Sequence, residues 1–177
     1  MPELEHLRYP VGRFKPVEIE SHDERASFLR SIAECPAKLR DAIDGLDTQQ
    51  LDTPYREDGW TIRQVVHHVF DSHCNAYIRF RLALTEDNPS VTAYDENAWA
   101  HLDDTFSVPV SVSLDLVDGL HQRWVATLNA MSAHDFERTI GHPENGPMTC
   151  DALLQMYAWH SVHHVRHITA LRERMGW

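Results

Sequence analysis

Apolar residues along this chain fall into four runs with helical spacing, separated by stretches rich in proline, glycine and polar side chains. The first run follows Ser21-His22-Asp23-Glu24, a capping box in which the Ser hydroxyl accepts from the third helical N–H and Glu24 reaches back to the cap. Ala26, Leu29, Ala33, Leu39 and Ile43 then mostly keep helical spacing up to a stop at Gly45. Pro36 lies inside this run; it lacks an N–H and clashes one turn back, so a kink or break is expected there. The second run is capped by Thr61, with Gln64 completing the box, and meets no breaker until about Leu84. At about 100° per residue, Gln64, His68, Ser72, Asn75 and Arg79 form one polar stripe on it, flanked by Val65, Val69, Tyr77, Ile78 and Leu82. Such a helix has more than one buried face, and the polar line runs into the interior. A third helix, starting near Ser111 or Ser113, carries Leu114, Val117, Leu120, Trp124 and Leu128 as a buried stripe. The fourth, capped by Thr149, runs without a breaker to Gly176, and its interior stripe reads Leu153, Met156, His160, His164, His167 and Leu171.

Between these runs, residues 1–20 read as an extended arm, interrupted by Pro2, Pro10, Gly12 and Pro16, whose Leu7, Tyr9, Val11 and Phe14 lie on the main body. Leu46 to Gly59 reads as a loop with at most a short turn. The connection from Asp87 to Val110 is long enough to imply a function, with a short helix over Asp95–Ala100 and with Tyr94 and Trp99 as lips of a pocket, or Trp99 packed on the core. Residues 131–148 read as an irregular arm with one short extended pair around Arg138-Thr139-Ile140. The fold class is therefore all-α, one domain over residues 1–177 with four principal helices and long, partly structured connections.

Composition narrows the function. A net charge of -11 repels phosphate backbones and anionic lipid surfaces, so nucleic acid and membranes are not expected partners. No apolar stretch approaches the roughly 18 residues of a membrane span, and no secretory signal is read at the start. Three widely spaced cysteines, Cys35, Cys74 and Cys150, suit a reducing cytoplasm and form no CxxC framework.

Half of the fourth helix's interior stripe is histidine. His160 and His164 stack one turn apart on the face that also carries Leu153 and Leu171. A buried imidazole needs a partner on both nitrogens, and a metal ion supplies one. A third imidazole from His67-His68 completes a three-histidine site with its fourth position open. Rotation favours His68, which shares the polar stripe, over His67, which shares a face with Cys74. Spacing does not exclude His163 and His167, which are also one turn apart; His163 reads as a group behind the ligands, a substrate contact or a partly exposed polar residue. Asn75 and Arg79 read either as substrate contacts, with Arg79 toward an anionic part, or as a buried hydrogen-bond network or surface charge. Ser161 stands where a zincin protease of HExxH type has its Glu, and GxSxG, GxxxxGK[ST] and GxGxxG are all absent.

Several longer stretches carry a resemblance. Leu7-Arg8-Tyr9-Pro10-Val11-Gly12, Gly59-Trp60-Thr61-Ile62-Arg63-Gln64-Val65-Val66-His67-His68-Val69-Phe70-Asp71-Ser72-His73, Tyr94-Asp95-Glu96-Asn97-Ala98-Trp99 and Tyr157-Ala158-Trp159-His160-Ser161-Val162-His163-His164-Val165-Arg166-His167-Ile168 resemble the YfiT branch of the DinB-like superfamily. The resemblance implies a four-helix bundle holding one divalent metal on three histidines. The family's first ligand follows the helix-opening Trp by eight residues, which lands on His68 from Trp60, and its HxxxH pair lands on His160 and His164. It further implies metal-dependent hydrolysis of a small molecule, with water or a thiolate at the open position as nucleophile and no catalytic side chain assigned. The alternatives are transfer of a low-molecular-weight thiol such as bacillithiol or mycothiol onto an electrophile, and a non-catalytic metal-dependent binding or stress-response protein. Zinc is the expected ion, nickel the next, and a homodimer the expected assembly.

Overall fold

A computed structural model describes residues 2–19 and 21–177 of the chain. In order, the elements are α1 (Pro2–Arg8), α2 (His22–Ile43), α3 (Thr48–Leu51), α4 (Ile62–Thr85), α5 (Glu96–Trp99), α6 (Asp103–Ser107), α7 (Val110–Ala130), α8 (Ala133–Glu137), β1 (Thr139–His142), β2 (Gly146–Thr149) and α9 (Cys150–Met175). The four long helices are α2, α4, α7 and α9. The starts of α2, α4 and α9 are set by side chains that satisfy otherwise orphaned N–H groups, whereas α7 begins after Pro109 without such a cap. Ser21 accepts from the Glu24 amide at 3.2 Å, Thr61 from the Gln64 amide at 3.2 Å and Thr149 from the Ala152 amide at 3.1 Å. α9 stops at Gly176, whose φ of 73° is the left-handed conformation glycine adopts freely.

Two expectations are corrected. Residues 1–20 are not extended throughout: Pro2–Arg8 is helix, because a proline in the first helical position gives up an N–H that had no partner anyway. The arm turns away only at Pro10 and Gly12, Val11 is exposed, and residues 1 and 20 lie outside the described residues. α2 does not break at Pro36 either. The carbonyl that Pro36 leaves without its helical donor is that of Ile32, and it accepts instead from Nδ1 of His121 at 2.9 Å. The expected extended pair is a hairpin, β1 against β2 in antiparallel register with Ile140 opposite Met148.

α2 packs against α7 and α9, and α4 packs against the same two. Consecutive long helices α2 and α4 thus face each other across the diagonal of the bundle. The apolar core is in two parts. One gathers Ile32, Phe80, Trp124, Leu128, Leu153 and Leu154; the other gathers Leu39, Ile62, Val65, Val66, Val117 and Ile168. Along α4, α7 and α9 most of the buried polar residues at or between these two clusters are histidines: His67, His68 and His73, then His121, then His163, His164 and His167, with His160 partly buried beside them. Trp124 closes one side of that layer, fully buried with its ring 5.4 Å from His121 and 5.7 Å from His73. Trp124→Ala is expected to cost about 3–5 kcal/mol, read as a lower urea midpoint at unchanged m-value.

Candidate metal centre

Three imidazoles from two helices converge at the floor of a cavity of about 560 Å³. α4 contributes His68; α9 contributes His160 and, one turn on, His164. One nitrogen from each lies within 4.8 Å of the others, and Nε2 of His68 stands 3.2 Å from Nε2 of His160. Burial pushes His68 down to about 3 and holds His160 and His164 well below the usual imidazole value, with His167 adding to the effect on His68 and several neighbouring histidines adding to it on the other two. All three are therefore neutral at pH 7, the form in which an imidazole offers a lone pair to a metal. On one tetrahedral ion with bonds of about 2.0–2.1 Å, two nitrogens sit about 3.3 Å apart, so the spacing of His68 and His160 fits a zinc-type ion.

A second group, His163, His164 and His167, shares His164 with the first and is as close-set. Here Nε2 of His167 donates to the Arg8 carbonyl at 3.1 Å, at the C-terminal end of α1 where carbonyls lack helical partners. That leaves Nδ1 of His167 as an acceptor, 3.4 Å from Nδ1 of His164. With its Nδ1 so engaged, His164 has Nε2 to offer elsewhere, which favours the set with His68 and His160. A third group, Cys35, His73 and His121, lies wholly inside the bundle.

The other expected pocket residues divide. Arg79 and Tyr94 line the cavity, and so does His163, whose ring stacks on Trp159 at 4.2 Å. Arg79 is buried and donates to the Tyr157 hydroxyl at 3.2 Å and the Thr92 carbonyl at 3.0 Å. Burial raises the Tyr94 hydroxyl above its usual range. Asn75 turns back on its own helix and donates to the Asp71 carbonyl at 2.9 Å, away from the cavity lining. Trp99 is 40% exposed and stands behind Tyr94, ring centres 4.4 Å apart, rather than at the lip or in the core.

Residues that the sequence does not place in the pocket complete the walls. Tyr55 stacks on His167 at 4.0 Å and Trp60 lies 4.7 Å from His68. The Trp60 indole donates to Asn97 at 3.1 Å, tying α5 over the site, and the Trp159 indole donates to the Gly12 carbonyl at 3.0 Å, tying the arm to α9. Trp60 and Trp159 each directly adjoin a cap or a ligand in sequence, the one signal that pointed to them.

The profile of the DinB superfamily matches residues 31–168, a stretch that contains His68, His160 and His164. The chain belongs to the DinB superfamily. This DinB-superfamily chain is 49% identical over 174 residues to a protein of Bacillus mycoides, covering 98% of this chain and all of that one. A Bacillus cereus relative is 49% identical over 177 residues with the same coverage, and both bear the name "putative metal-dependent hydrolase". The structure superposes on that of YfiT from Bacillus subtilis with a TM-score of 0.94 at 46% identity, covering 97% of this chain and 99% of that one. That protein is described as "a probable metal-dependent hydrolase with an unusual four-helix bundle topology". The four-helix bundle protein TT2238 shares the fold at a TM-score of 0.57 and 20% identity, covering 82% of this chain and 98% of that one. Among the described residues no helix is long and apolar enough to cross a membrane.

Proposed function

We propose that this DinB-superfamily chain is a metal-dependent hydrolase of a small molecule, with one divalent ion, zinc in preference to nickel, held by His68, His160 and His164. The observation that carries the reading is the convergence of three neutral imidazoles on an open cavity, with two Nε2 atoms 3.2 Å apart. A divalent ion held by His68, His160 and His164 would supply the Lewis acidity that activates water and polarises a carbonyl. The chain's own residues hold and enclose the substrate. A cavity of about 560 Å³ suits a small molecule rather than a polymer. Arg79 pairs with a hydroxyl and a carbonyl rather than with a carboxylate, so its charge is available to an anionic part of the substrate. Tyr94, Trp60 and Trp159 shield the floor from bulk water.

A second reading, transfer of a low-molecular-weight thiol onto an electrophile, has one observation in its favour. The carboxylates that line the cavity, Asp58, Glu96 and Glu144, are all on exposed residues at the rim. Water attack gains from a carboxylate base close to the nucleophile, whereas a thiol deprotonates far more readily. Incubating zinc-loaded protein with an activated ester, with and without a small thiol, separates the readings. Turnover without thiol that stops on chelation is the expected result. Turnover only with thiol overturns hydrolysis in favour of transfer, and full metal content without turnover in either arm leaves a binding protein.

A further inference from the structure

Behind the candidate ligands runs a continuous chain of imidazoles that no part of the proposed reaction uses. His73 and His121 are both buried, one on α4 and one on α7. Nδ1 of His121 lies 2.9 Å from the Ile32 carbonyl, Nε2 of His121 lies 2.8 Å from Nδ1 of His73, and Nε2 of His73 lies 3.1 Å from Nδ1 of His160. The protons in this chain are assigned by its far end. A carbonyl only accepts, so Nδ1 of His121 carries the hydrogen. A neutral ring has one N–H, so Nε2 of His121 accepts, and Nδ1 of His73 must donate to it. Nε2 of His73 then accepts from Nδ1–H of His160. The last ring is left with a bare Nε2, the atom that faces His68. The anchor is itself encoded in the sequence: the Ile32 carbonyl is open to His121 because Pro36, four residues on, has no N–H to give it.

We propose that His73 and His121 are positioning residues that lock His160 in the tautomer whose unprotonated Nε2 meets the cation, with Pro36 supplying the fixed end of the chain. The inference rests on His160 being a metal ligand. Burial supports it, since His73 and His121 are shut off from bulk water that could offer their nitrogens another partner. The competing assignment, a second metal held by Cys35, His73 and His121, fits less well. The 2.8 Å between the two imidazole nitrogens is an N–H···N bond length, shorter than the separation of about 3.3 Å between two donors on one tetrahedral ion.

The test uses the full chain and two readouts. Long-range proton–nitrogen NMR on the metal-free protein reports which nitrogen of His73, His121 and His160 bears hydrogen, and competition with a chromophoric chelator reports Zn²⁺ affinity. Wild type is expected to show hydrogen on Nδ1 of all three rings. His121→Leu is expected to mix the tautomers of His73 and His160 and to weaken Zn²⁺ binding about 10- to 100-fold. His121→Gln, whose amide can still accept from His73 while donating to Ile32, is expected to recover most of that loss. Hydrogen on Nε2 of His160 in wild type overturns the proposal, and does so even if His121→Leu does not fold. Unchanged affinity and tautomer in a folded His121→Leu overturn it too, as do two zinc ions per wild-type chain with one lost in that variant. Failure of the metal reading is distinct, since wild type would then bind no zinc whatever its tautomers.

Discussion

His68→Ala is expected to take the protein from about one divalent ion per chain to a trace, measured by elemental analysis after purification without a nickel column. The reason lies in where the ligands come from. α9 alone offers His160 and His164, two adjacent turns of one helix, and two imidazoles without a third leave half of a tetrahedral shell to solvent. His68 comes from a different helix, so on the proposed reading it would close the set and tie α4 to α9 through the ion. Its ring lies between Trp60 and the His160–His164 pair beside an open cavity, and truncation leaves space that water can fill rather than a sealed void. The variant should therefore keep its near-ultraviolet circular dichroism while losing the ion. His167→Ala is the matching control. Should that change strip the metal while His68→Ala retains it, the ion belongs to His163, His164 and His167 instead.

What the sequence disclosed about this site depended on whether the signal was local. Caps at Ser21, Thr61 and Thr149 need only four consecutive residues, and all three helices begin where those residues place them. His68, on the polar stripe, lines the cavity, whereas His67 turns to Ser113 at 2.7 Å. The failures are tertiary. On α7 the spacing Leu114, Val117, His121, Trp124, Leu128 is a regular three–four alternation, and all five are buried while Leu120 is only partly so. Preferring the neighbouring leucine to a histidine at a core position concealed His121, though a histidine in step with four core residues was visible. Asn75 shares the stripe angle with Arg79, but its short side chain finds the Asp71 carbonyl one turn back before it can reach the cavity. Pro36 alone predicts a kink or break in α2, because its compensation, His121, lies 85 residues later in the chain.

Without metal, the chain is expected to unfold on mild acidification, with a midpoint above about pH 5. Seven imidazoles in and around the site, His68, His73, His121, His160, His163, His164 and His167, have folded values depressed chiefly by burial, to about 3 for His68 and His163 and about 4 for His121 and His167. In the unfolded chain each returns to the usual 6.5. The unfolded state thus binds protons first as pH falls, so stability is full above 6.5 and is lost from there down toward the folded values. Near pH 5 each such ring costs about 2 kcal/mol, so three of them remove a large part of the roughly 5–15 kcal/mol that holds a domain together. Asp71 acts in the opposite sense. Burial and Asp104 push it up to about 6, so it takes its proton in the folded state first and offsets part of the loss. An ion bound as proposed would compete with protons for His68, His160 and His164, and saturating Zn²⁺ should move the midpoint to lower pH. An acid titration followed by near-ultraviolet circular dichroism and tryptophan fluorescence, with and without zinc, reads both effects. A metal-free chain that stays native to pH 4 would mean that these rings accept protons in place, and the histidine layer between the two apolar clusters would then be far wetter than its burial implies.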